Sequence, residues 1–285
     1  MSDKNSQPYL KCKDYSVSGE TFELRYNETY DMLETYPVPD VLELGSYYES
    51  DNYISHTDTK RNLFEKVYHM VRSYALLNKL KLIYKYSKNG KRLLDIGCGT
   101  GDFLNTAKQA DWEVTGIEPN ESARTIAKEK VGDVVFDVDE LERLEEGSFD
   151  VITLWHVLEH LPNLNEQIQI LNRLLKPTGT LIIAVPNYKS FDAKHYKEFW
   201  AAYDVPRHLW HFSQTSIKRL FMGVGMRVEK ILPMTFDSFY VSLLSEKHKT
   251  GKMHLVIGFL NGLRSNFKAL RTGEYSSLIY VIKNE

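Results

Sequence analysis

The chain has few cysteines, no long apolar run and almost no net charge. Its two cysteines among 285 residues, Cys12 and Cys98, lie far apart in sequence, which does not indicate a disulfide framework. No run approaches the roughly 18 apolar residues that a membrane span needs, and the first ten residues lack the apolar core of a signal peptide. We therefore expect a cytoplasmic protein without a transmembrane segment. A net charge of −2 gives no general attraction to nucleic acid and favours a small-molecule partner.

The sequence is rich in alternating apolar segments of strand and helix type. From about Arg92 onward, short apolar runs alternate with segments of helical period, which predicts βαβ units and a parallel sheet covered on both faces. We predict that residues 91–285 form a doubly wound, Rossmann-like α/β domain with an insertion at about 235–275. Residues 1–90 are predicted to be an irregular segment followed by a helical cap, because apolar residues from Leu63 to Leu77 fall on one helical stripe.

One glycine-rich turn, in "LLDIGCGTGDFL", stands between a predicted strand and a predicted helix. Its glycines are Gly97, Gly99 and Gly101. Glycines allow close approach of a ligand to the backbone, and the following helix start offers unpaired N–H groups. The dinucleotide fingerprint would require its third glycine at Asp102, so the spacing disfavours NAD.

Three carboxylates are predicted near this turn. Asp95 precedes it, Glu118 ends the next strand, and Asp137 ends the strand after that. Three negative charges would repel a pyrophosphate but would suit a cationic ligand. S-adenosylmethionine carries a sulfonium and an ammonium group and no phosphate, so the sequence favours it as the cofactor.

Four motifs carry a family resemblance: "LLDIGCGTGDFL", "GIEPN", "FDVITLWHVLEHLPN" and "LKPTGTLIIAVPN". In this order they resemble class I S-adenosylmethionine-dependent methyltransferases, over about residues 92–187. The resemblance implies a seven-stranded sheet whose last strand is antiparallel to its neighbours. It also implies a set of cofactor-binding residues, which are Asp95, Gly97, Cys98, Gly99, Gly101, Glu118, Pro119, Asp137, Val138, Trp155 and His156.

The resemblance further implies a role for each part of this set. Glu118 would accept both ribose hydroxyls, Asp137 and the backbone of Val138 would meet the adenine, and Trp155 and His156 would flank the methionine. Simpler alternatives stay open: a tight turn, a surface position for Glu118, and a helix cap for Asp137.

Four further side chains are candidates for catalysis. Methyl transfer requires alignment of the acceptor and, for a hydroxyl, a base. We expect that base among His160, His208 and His211, with Arg207 of "DVPRHLWHF" holding an anionic or carbonyl group of the acceptor. The alternatives are a structural role for His160 and an internal ion pair between Arg207 and Asp204 that holds the loop.

The N-terminal stretch "YLKCKDYSVSGETFELRYNETYDMLE" resembles a degenerate form of the cysteine-rich ribbon found in a bacterial subgroup of these enzymes. A structural zinc needs four ligands and only Cys12 is present, so we predict no metal. The following segment supplies candidates for closing over the cofactor, with plain packing as the alternative; these are Tyr47, Tyr48, Tyr53 and His56.

Together these patterns predict an enzyme that methylates a small molecule, with an oxygen acceptor preferred. The alternatives are a non-catalytic S-adenosylmethionine-binding or scaffold protein, and an RNA methyltransferase. The segment 245–275 has six basic residues against two glutamates, a net charge of +4. Such a segment is compatible with peripheral contact with a membrane, with an anionic acceptor or partner, or with a solvated helical hairpin. The oligomeric state is not defined by the sequence.

Overall fold

A computed structural model describes residues 8–40, 45–48, 63–87 and 90–285, with the backbone only for residues 46 and 63–70. Within these ranges the strands are β1 (Leu10–Lys13), β2 (Thr21–Asn27), β3 (Met32–Tyr36), β4 (Arg92–Ile96), β5 (Glu113–Ile117), β6 (Val135–Phe136), β7 (Phe149–Trp155), β8 (Leu175–Pro186), β9 (Trp210–His211), β10 (Met226–Pro233) and β11 (Ser277–Asn284). The helices are α1 (Leu63–Tyr86), α2 (Asp102–Gln109), α3 (Glu121–Val131), α4 (Leu164–Leu174), α5 (Phe191–Tyr196), α6 (Gln214–Met222), α7 (Asp237–Thr250) and α8 (Leu255–Thr272).

Seven strands form the main sheet in the order β10-β11-β8-β7-β4-β5-β6. The strands from β4 to β8 pair in parallel, whereas β11 pairs antiparallel with both β8 and β10. This arrangement confirms the predicted Rossmann-like sheet with an antiparallel last strand. The carboxyl ends of β4, β5, β6 and β7 meet at one edge, where ligands of open α/β sheets bind.

The central strands are apolar on both faces because helices cover both faces of the sheet. Leu94 of β4 and Ile183 of β8 belong to one hydrophobic core, while the residues directly before them, Leu93 and Ile182, belong to the other. Successive side chains of a strand point to opposite faces, so each strand contributes to both cores. This explains why the strands appear in the sequence as continuous apolar runs.

A second, four-stranded antiparallel sheet has the order β1-β2-β3-β9. The prediction of an irregular segment was therefore wrong for residues 10–36. Strand β2 buries Phe22 and Leu24 in alternation with more exposed Glu23 and Arg25, a period-2 pattern that the sequence contained. The apolar face of this sheet packs against residues that follow β8, including Trp200.

Helix α1 is present where a helix was predicted, and the side chains of its first eight residues lie outside the described part of the structure. Tyr74 and Leu77 of the predicted stripe are about half exposed, whereas Ile83 is fully buried. Leu76 and Leu80 also pack against the core beneath α1, so among the described side chains the apolar contact follows a different face from the one expected. Across the described ranges, none of the helices combines the length and hydropathy required to cross a bilayer.

Candidate functional site

The glycine turn after β4 places its three glycines in left-handed backbone conformation, with φ of +69° for Gly97, +55° for Gly99 and +76° for Gly101. A Cβ at Gly97 would lie 2.4 Å from Val157 Cγ2, and one at Gly101 would lie 2.9 Å from Ala127 Cβ. A Cβ at Gly99 would meet no atom of the described residues within 4 Å. Two glycines are thus required by packing, while Gly99 faces open space.

Glu118, directly after β5, reaches the same turn. Its Oε2 accepts a hydrogen bond from the Gly99 N–H at 2.8 Å, and its Oε1 accepts one from the Asn120 N–H at 2.9 Å. Glu118 is only 8% exposed. Burial raises the pKa of this carboxyl above its ordinary value, although both backbone bonds oppose the shift. A donor or a positive charge arriving beside Glu118 would offset this desolvation.

Asp95 lies at the base of the turn, buried within the sheet. Its Oδ1 accepts a hydrogen bond from Thr153 Oγ1 at 2.5 Å. Burial raises the pKa of Asp95 to about 7, with the Thr153 bond and the positive charge of Lys79 acting in opposition. Cys98, in the turn itself, is half-buried, and burial raises the pKa of its thiol above the ordinary value.

Lys79 of α1 lies beside Trp155 and was not among the residues predicted from the sequence. Its Nζ lies 4.4 Å from the ring centroid of Trp155, at the end of β7. Burial lowers the pKa of Lys79, while the negative charges of Asp95 and Asp237 raise it. The available signal was spacing, because Lys79 follows Leu76 by three residues and so shares the buried face of the helix.

Arg124 of α3 brings the residues at the ends of β5 and β6 together. Its Nη1 donates to the carbonyls of Glu118 at 2.6 Å and Pro119 at 3.0 Å, and its Nη2 lies 3.0 Å from Asp137 Oδ2. Asp137 also accepts a hydrogen bond from the Val138 N–H at 2.6 Å. Asp137 therefore caps the short 3-10 helix Val138–Glu142, which corresponds to the helix-cap alternative. We call the region around the glycine turn and the ends of β5, β6 and β7 the cleft.

His156 follows Trp155 and has a left-handed φ of +58°. Its Nε2 lies 2.9 Å from Asp237 Oδ2, and its Nδ1 lies 3.4 Å from Glu159 Oε1. Burial disfavours the charged ring, yet the two carboxylates together raise the pKa of His156 to about 10. The ring is thus an imidazolium at neutral pH. Asp237 begins α7, and no local motif marks it as a partner of His156.

Arg207 lies in a different environment, at the junction with the four-stranded sheet. It is 2% exposed. Its Nε donates to Asp204 Oδ2 at 3.0 Å, its Nη2 donates to Asp14 Oδ1 at 2.9 Å, and its Nη1 donates to the Tyr47 carbonyl at 3.0 Å. Protein acceptors occupy all three nitrogens, which corresponds to the alternative of an internal ion pair. The geometry does not support the expectation that Arg207 holds an acceptor.

His208 and His211 are also buried in this junction. His211 Nε2 lies 3.0 Å from Thr35 Oγ1, and that hydroxyl donates to the carbonyl of His208 at 2.6 Å. His208 Nδ1 lies 2.9 Å from the Ala202 carbonyl. Burial, followed by the nearby charge of His208, places the pKa of His211 well below its ordinary value. The His211 ring thus links β9 to β3, whereas the His208 ring bonds within the segment that precedes β9 and only the backbone carbonyl of His208 bonds to Thr35 of β3.

His160 also contacts this junction. Its Nδ1 lies 2.9 Å from the Tyr48 hydroxyl and 3.1 Å from the Arg207 carbonyl. Burial, followed by the charge of His208, lowers the pKa of His160 to about 4, so its ring is neutral at neutral pH. Tyr47 and Tyr48 thus contact this junction, whereas the predicted closing residues Tyr53 and His56 lie outside the described residues.

Glu159 is fully buried beside these histidines. Burial would raise its pKa, but the bond from His156 and the surrounding histidines lower it. Glu159, His160 and His208 each offer one ligand atom within 4.8 Å of the others, a group that could hold a divalent cation.

Cys12 is buried in the small sheet, and burial, followed by the charge of Glu198, raises the pKa of its thiol to about 12. The absence of a bound metal stays a prediction.

Comparison with known proteins identifies the family. Residues 68–231 match the family model described as a methyltransferase domain. A ubiquinone biosynthesis O-methyltransferase from Bordetella avium is 33% identical over 108 residues, which cover 35% of this chain and 45% of the relative. A ubiquinone biosynthesis O-methyltransferase from Nitrosococcus oceani is 36% identical over 121 residues, which cover 39% of this chain and 51% of the relative. The chain thus spans about half the length of these relatives.

Solved structures share the fold. Magnesium protoporphyrin IX methyltransferase from Synechocystis, solved with bound S-adenosylhomocysteine, has a TM-score of 0.56 at 16% identity and covers 86% of this chain and 100% of its own. A SAM-dependent methyltransferase from Thermotoga maritima has a TM-score of 0.53 at 19% identity, with coverages of 78% and 95%. The S-adenosylhomocysteine bound to the first protein and the S-adenosylmethionine dependence of the second agree with the cofactor predicted from the sequence. The chain belongs to the methyltransferase-domain family and has the fold of the class I S-adenosylmethionine-dependent methyltransferases.

Proposed function

We propose that this chain transfers a methyl group from S-adenosylmethionine to a small molecule, with an oxygen atom as the preferred acceptor. The observation that carries the proposal is the pairing of Gly99, which faces open space, with the buried carboxylate of Glu118. The relatives are O-methyltransferases, which supports oxygen as the methylated atom. We place the activity in the cytoplasm, in residues 91–285, with residues 1–90 as a cap.

The cleft residues take the cofactor roles that the resemblance implies. Glu118 would accept the ribose hydroxyls, Asp137 and the backbone of Val138 would meet the adenine, and Trp155 and His156 would flank the methionine. Gly97, Cys98, Gly99 and Gly101 would pass beneath the methionine part, above Asp95, and Pro119 would border the ribose. To this set we add Lys79, whose ammonium beside Trp155 suits the methionine carboxylate.

For the acceptor, we assign the base to His160. A sulfonium is already a good leaving group, so the protein mainly aligns the acceptor and removes the hydroxyl proton. We assign the ring proton to Nδ1, since the Arg207 carbonyl beside it can only accept, and this leaves the lone pair on Nε2. Arg207, His208 and His211 then act as positioning residues, since they fasten the segment that contacts His160.

The proposal is tested first by cofactor affinity. Glu118→Ala removes the acceptor for the ribose hydroxyls, so we expect the dissociation constant of S-adenosylhomocysteine to rise about tenfold or more. Glu121→Ala, on the exposed first turn of α3, is the matched control and should bind normally. Unchanged affinity in a folded Glu118→Ala protein would remove Glu118 from the site.

Turnover tests the assignment of the base. In a screen of hydroxylated small molecules, His160→Gln should reduce kcat by roughly a hundredfold while leaving S-adenosylhomocysteine affinity intact. His195→Gln, on the exposed face of α5, should behave like the wild type. Equal kcat in His160→Gln and wild type would show that another group removes the proton.

The alternatives predict different outcomes in the same assays. A non-catalytic binding protein would bind S-adenosylmethionine but release no S-adenosylhomocysteine with any acceptor. An RNA methyltransferase would methylate RNA in preference to small hydroxylated molecules. The net charge of −2 disfavours binding of RNA.

A further inference from the structure

Helix α8 buries its small residues and exposes its large apolar ones. The buried positions are Gly258, Gly262, Ser265 and Ala269. A Cβ at Gly262 would lie 2.8 Å from Phe239 Cα, and one at Gly258 would lie 2.8 Å from Leu243 Cδ2, so α8 approaches the backbone of α7 closely. This close contact uses the small face of α8, and its larger side chains project elsewhere.

The opposite face of α8 is an apolar stripe. Its members are between 50% and 72% exposed and recur at helical spacing; they are Val256, Leu260, Leu263, Phe267 and Leu270. We call this set the α8 stripe. Single exposed apolar residues are ordinary, whereas a contiguous row of five on one helix is typical of an interaction surface.

The orientation of α8 is fixed by buried polar contacts. Ser265 Oγ donates to Asp192 Oδ1 at 2.6 Å, and Asn261 Nδ2 donates to the Tyr196 hydroxyl at 2.9 Å. Asp192 also accepts from Trp200 Nε1 at 2.7 Å, so its carboxylate is well satisfied. Rotation of α8 to bury the stripe would break these bonds, and the stripe is therefore a stable feature of the surface.

The charge around the stripe identifies the kind of surface that would cover it. The segment 245–275 has a net charge of +4, whereas the whole chain has −2. One of its two glutamates, Glu246, is buried and accepts from Tyr196. A second copy would bring like charges together at the interface, which is unfavourable. An apolar stripe flanked by lysine and arginine instead matches the boundary of an anionic bilayer.

We propose that the α8 stripe docks the protein on an anionic lipid surface. The apolar side chains would enter the boundary between headgroups and acyl chains, and the flanking cations, among them Lys252 and Arg271, would contact lipid phosphates. This is peripheral binding, in keeping with the lack of a membrane-spanning helix in the described residues. The inference does not depend on the methyl-transfer activity.

Vesicle co-sedimentation tests the docking surface. Full-length protein should sediment with vesicles of phosphatidylcholine and phosphatidylglycerol, and less with phosphatidylcholine alone. The double variant Leu260→Ser/Phe267→Ser should bind these vesicles at least about tenfold more weakly than the wild type, because two apolar side chains are lost from the membrane contact. Met222→Ser, at an equally exposed apolar position on α6, should bind like the wild type.

A second pair of variants tests the charge. Lys252→Gln/Arg271→Gln should weaken binding to the phosphatidylglycerol vesicles, while Arg143→Gln, at an exposed arginine on the far edge of the sheet, should not. The proposal is overturned if the wild type does not bind these vesicles or if the serine variant binds equally well. If the wild type forms a dimer that the serine variant does not form, and neither protein binds vesicles, the stripe is the contact surface for a second copy of the chain.

Discussion

The cofactor cleft and the junction around Arg207 contain the same kinds of polar residue but use them differently. In the cleft, Gly99 and Glu118 come from neighbouring strand ends and leave open space between the turn and the cleft rim. In the junction, Arg207 directs its donors to Asp14, Tyr47 and Asp204. A charged motif on a loop beside a ligand site is therefore not by itself a ligand-binding motif, because distant partners can satisfy every donor.

The largest effect should come from breaking the junction. Arg207→Met would leave the buried carboxylate of Asp14 without its partner, so we expect the free energy of unfolding to fall by about 3–5 kcal/mol. Chemical denaturation measures this loss. Arg143→Met, at an exposed arginine, is the control and should change stability by less than about 0.5 kcal/mol.

The same variant separates the two regions. Folded Arg207→Met should bind S-adenosylhomocysteine with the affinity of the wild type, because Arg207 makes no contact with the glycine turn. If this variant does not fold, Arg207→Lys preserves the charge and serves in its place. Normal stability with reduced turnover would restore Arg207 to the acceptor site.

A smaller effect should follow from adding one methyl group to the turn. Gly99→Ala places a Cβ in the open space and strains a left-handed residue by roughly 1–2 kcal/mol. We expect about tenfold weaker binding of S-adenosylhomocysteine. Gly101→Ala should instead lose more stability, because its Cβ would meet Ala127. Calorimetry and thermal denaturation together distinguish the two, and equal profiles would contradict the separate roles.

The effect that solvent screens most concerns the charge on His156, whose side chain is 34% exposed. Asp237→Asn removes one of its two carboxylate partners, so the pKa of His156 should fall from about 10 toward its ordinary 6.5. Because the folded pKa is raised, the stabilisation from this charge is full below about pH 6.5 and is lost as pH rises through about 10. NMR titration of the His156 ring measures the pKa, and the difference in unfolding free energy between the two pH values measures the stabilisation. An unshifted pKa would show that Asp237 does not hold the charge.

The sequence predicted those features whose signal lies in neighbouring residues. The doubly wound α/β sheet, the glycine turn and the position of Glu118 follow from strand periodicity and from residues at strand ends, whereas the number of strands and the antiparallel last strand came from the family resemblance. Lys79 and Asp237 were not predicted because they reach the cleft from α1 and α7, whose positions depend on tertiary packing. The same limit applied to Arg207, whose partner Asp14 lies in the turn between β1 and β2, within a segment that was predicted to be irregular.

The proposed methyl transfer requires that the cleft beside Gly99 and Glu118 binds S-adenosylmethionine. Calorimetric titration of the wild-type protein with S-adenosylmethionine, S-adenosylhomocysteine and NAD tests this binding directly. We expect saturable binding of both adenosyl ligands, weakened in Glu118→Ala, and no comparable heat with NAD. Binding of NAD as tight as that of S-adenosylmethionine, or no binding of either adenosyl ligand, would contradict it.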